Sequence, residues 1–204
     1  FEMFYNGNFS RPAGMIYEDF SELHKVPAFD IPASWPRYFG VDFGAVHTAK
    51  IWIAQDPASS LYYLYRESLE GNKTTAEQVA SVKKYNEYNL RAWGGAKSET
   101  QQRKDWAAAG LQVAEPPIWE VESGIERVIA LLKEKRLFVF DTCKGIIDEF
   151  GTYSRELDAN GQPTDKIKDK STYHHLDALR YVACGITKKS QSITMTAEIS
   201  NYTR

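Results

Sequence analysis

Only two cysteines, Cys143 and Cys184, occur in the 204 residues of this chain. That is too few for a disulfide framework and offers no cysteine set for zinc, so a reducing compartment is expected. No apolar run approaches the ~20 residues of a membrane span, and no membrane role is expected. No charged segment leading into an apolar one opens the chain, so no secretory signal is read. The first residue is Phe1, as expected for a piece excised from a longer protein. With 25 Lys and Arg against 27 Asp and Glu, net charge is −2, and bulk charge does not advertise a polyanion binder. There is no Gly-x-x-x-x-Gly-Lys-Ser/Thr loop, so any ATPase lies outside this chain. Internal repeats and low-complexity linkers are also missing.

What remains is an ordinary globular composition, 43% hydrophobic and 25% charged, with enough length for one sizeable core. The 12 Tyr, 10 Phe and 5 Trp suit core and edge packing better than base stacking. Residues 1–37, with Pro12, Pro27, Pro32 and Pro36, read as an irregular lead-in wrapping the core. Residues 38–187 form the domain, and 188–204 a patternless tail free to move.

Within the domain, residues 39–54 read as a hairpin with its turn near 45–48, and 61–67 as a third strand. A helix capped by Thr74 or Thr75 runs through Tyr88, with Glu77 near its start. A short strand over 91–93 follows, then a helix from about Ser98 to Ala109 closed by Gly110. Residues 111–113 read as a strand, 121–135 as a helix, 137–140 as a strand and 143–153 as a helix. A hairpin with its turn at Asn160-Gly161 precedes a last helix over 173–186. Three leading strands followed by alternating helices and strands predict one mixed α/β domain, its central sheet covered on both faces.

Asp42 stands out. It sits in an apolar strand between Val41 and Phe43, where aspartate is a poor strand former and its carboxylate needs a partner, a proton or a metal. Gly44 and Ala45 leave room for something to approach. A second constellation is Tyr173-His174-His175-Leu176-Asp177-Ala178-Leu179-Arg180-Tyr181, where His174 and Asp177 share a helix face. The plain reading of that helix start is a dipole-favouring aspartate among solvated histidines. Together with Asp42, however, it suggests a cation. Two carboxylates ~4 Å apart repel by about 4 kcal/mol at an effective dielectric of ~20. Oxygen donors point to Mg²⁺ or Mn²⁺, and a pair of such ions can activate water and stabilise a leaving phosphodiester oxygen.

The stretches Phe39-Gly40-Val41-Asp42-Phe43-Gly44, Gly110-Leu111-Gln112-Val113, Val121-Glu122-Ser123-Gly124-Ile125 and His174 through Tyr181 together resemble a known family. It is the C-terminal nuclease domain of the large terminase subunit of tailed bacteriophages. Tyr5-Asn6-Gly7-Asn8-Phe9 and the segment from Pro12 to Tyr17 are similar to the stretch joining that nuclease to its ATPase. The resemblance covers most of residues 5–187. It implies an RNase H-like fold and metal-dependent cleavage of concatemeric viral double-stranded DNA during packaging, with two Mg²⁺ or Mn²⁺ ions. The implied partners are DNA, the ATPase domain, a portal protein and a small terminase subunit, in the host cytoplasm. Asp42 matches the family's first-strand aspartate, Asp177 that of the last helix, and His174 the histidine three residues before it.

One departure stands where many members carry a further aspartate: here the strand tip reads Trp93-Gly94-Gly95. Glu99 is the expected substitute, giving Asp42, Glu99, Asp177 and His174 as catalytic and metal-binding residues. Glu67 is a weaker candidate, and Asp141 reads as a helix cap. Arg91, Lys97, Arg103 and Lys104 are candidate phosphate contacts, while the Lys166, Lys168 and Lys170 run reads as a solvated loop. Two rivals remain: a DNA-gripping or motor-docking module that cuts poorly, and an actin-like or sugar-kinase phosphate loop over 42–48.

Overall fold

The computed structural model describes residues 13–44, 46–87 and 89–186. Two sequence expectations, the tail over 188–204 and the start of the lead-in, lie outside them. Six strands form one sheet: β1 (Lys25–Val26), β2 (Arg37–Asp42), β3 (His47–Gln55), β4 (Tyr62–Gly71), β5 (Arg91–Gly94) and β6 (Leu137–Phe140). Their order is β1-β6-β4-β3-β2-β5. The β2–β3–β4 meander is antiparallel, while β5 runs parallel to β2, and β6 parallel to β4 and β1. A separate pair, β7 (Arg155–Leu157) and β8 (Pro163–Ile167), makes a small hairpin.

Period-two alternation sends β2's side chains to two different layers. Phe39 and Val41 join Trp52, Val79, Val82 and Trp106, beneath α1 (Thr75–Lys83) and α2 (Thr100–Ala108). Tyr38 joins Ile51, Leu64 and Val139 on the other face. That face is covered by α3 (Val121–Lys133), α4 (Lys144–Thr152) and α5 (His174–Ile186). The mixed α/β sheet with helices on both faces is the architecture expected.

Details differ where tertiary contacts outweigh local pattern. The lead-in contributes β1, which the sequence did not signal: two residues, stopped by Pro27, pair with β6 in the register Lys25 to Val139. The expected strand over 111–113 is a single bridge from Ala114 to Trp93, cut short by Pro116-Pro117. The helix expected to reach Tyr88 ends at Lys83, because Asn86 adopts φ +51. Its start follows expectation: Thr74 and Glu77 form a capping box.

One close approach sets the site. At Gly40 a Cβ would fall 2.6 Å from the Ala178 carbonyl oxygen and 2.8 Å from Val182 Cγ2. Only glycine lets α5 lie so near β2. The result brings the start of α5, and with it Asp177, up to the end of β2 that carries Asp42.

Candidate active site

Asp42 is the last residue of β2, opposite Ala49 of β3. His174, the first residue of α5, faces it with Nδ1 2.9 Å from Asp42 Oδ2. A carboxylate only accepts, so Nδ1 carries the hydrogen, and a neutral His174 presents its Nε2 lone pair elsewhere. The hydrogen bond to Asp42 is the main reason the His174 pKa is raised, against the opposing effect of burial. Gly44 keeps this corner tight: a Cβ there would run into the His47 carbonyl oxygen, while His174 Cε1 lies at ordinary contact distance.

Asp42, Glu99 and Asp177 line one cleft of about 420 Å³, with Lys97, Lys170 and Arg180 around them. Burial pushes the Asp177 carboxyl above its ordinary value; Asp42 adds to the shift, while Arg180 and Lys170 work against it. The Glu99 carboxyl is likewise raised, first by burial. The Ala96 N–H and Arg103 lower it, while Asp42 and Asp177 raise it. Three acids from three separate parts of the chain therefore feel one another's charge.

Each acid has a protein partner. Asp177 Oδ1 accepts from Arg180 Nη2 at 2.8 Å and Nε at 3.3 Å. Glu99 Oε2 accepts the Ala96 N–H at 2.5 Å. Gly95, where the family's further aspartate was expected, has φ +76, and a Cβ there would sit 2.6 Å from the Phe43 ring. A carboxylate cannot occupy that point without moving Phe43. Glu99, immediately ahead of α2, reaches the same cleft from the next turn.

Solved structures share this fold. A nuclease domain of the phage P22 large terminase superposes with a TM-score of 0.66 at 27% identity, covering 85% of this chain and 92% of that one. The large subunit of the terminase of Enterobacteria phage LP7 is 28% identical over 188 residues. The chain is homologous to phage terminase large subunits. The LP7 match takes in 82% of this chain but 38% of the relative, so the chain spans well under half of that protein's length. The nuclease domain of the phage SPP1 large terminase, solved with bound Mn, aligns at a TM-score of 0.63 and 20% identity, over 81% of this chain and 95% of that one. No family model matches the chain. The fold is RNase H-like, and the match is to the C-terminal nuclease domain of the large terminase.

Against that nuclease-domain frame the remaining candidates sort themselves. Among the described residues, no three His, Cys, Asp or Glu side chains already form a metal-holding group. The chemistry of the donors still fits a hard divalent ion: carboxylate oxygens, crowded, with raised carboxyl groups. Asp42 and Asp177 are the donors such an ion would take, with Glu99 and His174 beside them.

Glu67 is not at the cleft. Its carboxylate accepts the backbone N–H groups of Gly145 at 2.6 Å and Ile146 at 2.7 Å, closing the start of α4. It thus takes the part expected of Asp141, which is exposed; the N-terminus of α4 is met from β4. Arg91 is also misplaced in the sequence reading: it opens β5 opposite Tyr38, at the far end of the strand from the cleft. Arg103 is buried, donating to Gly94 O, Ala96 O and Thr100 Oγ1, and braces the loop that carries Glu99. Lys104 is exposed on α2 and does not line the cleft. Lys170, read as part of a solvated loop, lines the cleft; the turn into it passes through Asp169 at φ +48.

Sequence reasoning missed Glu149. From α4 it accepts the N–H groups of His175 (3.2 Å) and Leu176 (2.9 Å), and His175 Nδ1 lies 2.6 Å from it. The helix that carries His174 and Asp177 is capped by a residue 26 positions away, and nothing local in the sequence signals that.

Proposed function

We propose that this domain is a divalent-metal-dependent endonuclease that cuts concatemeric double-stranded viral DNA during genome packaging. The observation that carries the proposal is the convergence of Asp42 and Asp177, 135 positions apart in the numbering, on one cleft. Homology to terminase large subunits and the Mn bound by the SPP1 domain support the same reading.

Asp42 and Asp177 are the principal ligands for Mg²⁺ or Mn²⁺, with Glu99 completing the set. A pair of such ions supplies water activation and stabilises the leaving phosphodiester oxygen. His174, fixed by its Nδ1 contact to Asp42, presents Nε2 either as a further ligand or to orient the attacking water. Lys97 and Lys170 meet the backbone phosphates, giving binding that weakens with salt and carries little sequence preference. The working partners are double-stranded DNA, an ATPase domain elsewhere in the polypeptide, a portal protein and a small terminase subunit, in the cytoplasm of the bacterial host.

Asp42→Asn tests the reading. Mn²⁺-dependent plasmid cleavage should be abolished at nearly unchanged thermal stability; retained cleavage would refute the assignment. A second reading draws on the Gly95 position, which leaves no room for the family's further aspartate. In that reading the domain grips DNA or docks on the packaging motor and cuts poorly. Salt-sensitive DNA binding with no cleavage under any divalent ion would favour it. A phosphate loop over 42–48 is disfavoured because the sequence holds no second glycine-rich phosphate loop to pair with it; nucleotide binding measures this directly.

A further inference from the structure

We infer that Arg180 is a positioning residue for Asp177, seated in a notch that Gly124 leaves in α3. This rests on the metal-site reading above and goes beyond it by naming what orients the second carboxylate.

Arg180 is 4% exposed. It lies one helical turn beyond Asp177 and gives two N–H groups, from Nη2 and Nε, to Oδ1 alone. One carboxylate oxygen is therefore engaged by Arg180, and both side chains line the cleft. A fork of donors on one oxygen fixes both rotation and charge, which a lysine ammonium does less well.

The stem of Arg180 needs space to reach that position, and α3 supplies it. Glycine is among the poorest residues inside a helix, yet Gly124 sits within the first turns of α3. A Cβ at 124 would fall 2.3 Å from Arg180 Cγ and 2.6 Å from Cδ. These atoms are mid-stem, so the guanidinium would have to move with them. Tyr181 lies beside the guanidinium, 4.9 Å from ring centroid to Cζ. The nearby Glu122 carboxyl is held below its ordinary value mainly by its hydrogen bond to Arg155, with Arg180 adding a smaller share. Gly124 and Arg180 thus form one device spread over two helices.

The test is a double-mutant cycle on Mn²⁺ affinity, read by electron paramagnetic resonance, together with a crystal structure of Gly124→Ala. Residues that orient metal ligands typically contribute about 10–100-fold in affinity. Gly124→Ala and Arg180→Ala should each weaken Mn²⁺ binding by a factor in that range. The double variant should be no weaker than Arg180→Ala, because without the stem there is nothing for the new methyl to displace. Arg180→Lys should fall between wild type and Arg180→Ala. Independent, multiplying effects would overturn the inference. So would a Gly124→Ala crystal in which Arg180 still donates to Asp177 and Mn²⁺ affinity is that of the wild type. Equal Mn²⁺ binding by wild type and Asp177→Asn would instead sink the metal reading. The Gly124→Ala crystal would then decide the Arg180–Asp177 arrangement by itself.

Discussion

His174 Nδ1 and Asp42 Oδ2 stand 2.9 Å apart, joining the first residue of the last helix to the final residue of β2. The pair fixes the imidazole ring, and in the proposed function it leaves Nε2 for the metal or the attacking water. His174→Ala is expected to lower Mn²⁺-dependent cleavage by roughly 10–100-fold while leaving the far-ultraviolet circular dichroism unchanged. His174→Asn keeps a donor for Asp42 but lacks the imidazole and should not recover the rate. Wild-type cleavage by either variant removes His174 from the mechanism.

Metal affinity should depend on pH. The carboxyl groups of Asp177 and Glu99 are raised by burial and by their acidic neighbours. A metal ion binds the ionised form, so it must displace protons wherever these groups still hold them. Mn²⁺ binding should therefore weaken on acidification at a higher pH than it would at ordinary exposed carboxylates. Calorimetry in two buffers of different ionisation enthalpy reads the released protons. Binding whose pH dependence matches that of exposed carboxylates contradicts the arrangement.

The same shift has a consequence for stability in metal-free protein. A carboxyl whose folded pKa lies above its unfolded value makes folding less favourable as pH rises through that interval. Glu99→Gln removes the buried charge and, with it, the repulsion from Asp42 and Asp177. In EDTA the variant should melt higher than wild type at pH 7, with the difference closing near pH 4, and it should cleave poorly. A lower melting temperature at pH 7 would mean that the Glu99 to Ala96 hydrogen bond outweighs the repulsion from Asp42 and Asp177.

Much of the framework was legible because it is written locally. Strand alternation located β2, and β6 appeared with its bounds intact, four apolar residues between a helix end and a turn. The capping box at Thr74 and the His174–Asp177 spacing are signals within one turn of helix. The illegible parts are long-range. β1 is two residues whose only reason to be a strand is the free edge of β6. Glu67 and Glu149 each close a helix that starts 77 or 25 residues later in the numbering, and no window of sequence reveals that. Gly95 was visible as a gap, but only the fold shows Phe43 filling the place a carboxylate would need.

Glu149 gives a direct test of that long-range capping. Its carboxylate meets two N–H groups at the start of α5 and the His175 ring, while His175 Nε2 is buried with no hydrogen-bond partner among the described residues. Glu149→Ala should cost about 2 kcal/mol in urea unfolding, the upper range for a lost cap. It should also lower cleavage, because His174 and Asp177 ride on the loosened turn. A change below 0.5 kcal/mol (roughly the effect of a neutral surface substitution) would show that α5 is held by packing alone.

On the opposite face, Lys50 is fully buried and its ammonium pairs with Glu70, which also accepts from Lys73 and Ser81. Partial burial alone would raise the Glu70 carboxyl, but these donors outweigh it and hold the pKa at about 2 against an ordinary 4.5. A depressed carboxyl contributes stability above its unfolded pKa, lost as pH falls from about 4.5 to 2. Glu70→Gln should destabilise the fold at pH 7, by roughly 3 kcal/mol, and much less at pH 2. Equal losses at both pH values would rule out the charge as the cause.

The most direct measurement is an anomalous difference map from a crystal soaked in Mn²⁺. The account predicts at least one peak within coordination distance, about 2.0–2.3 Å, of carboxylate oxygens from both Asp42 and Asp177, with Glu99 or His174 Nε2 turned towards it. A well-occupied Mn²⁺ peak elsewhere, with none between those two aspartates, would contradict it.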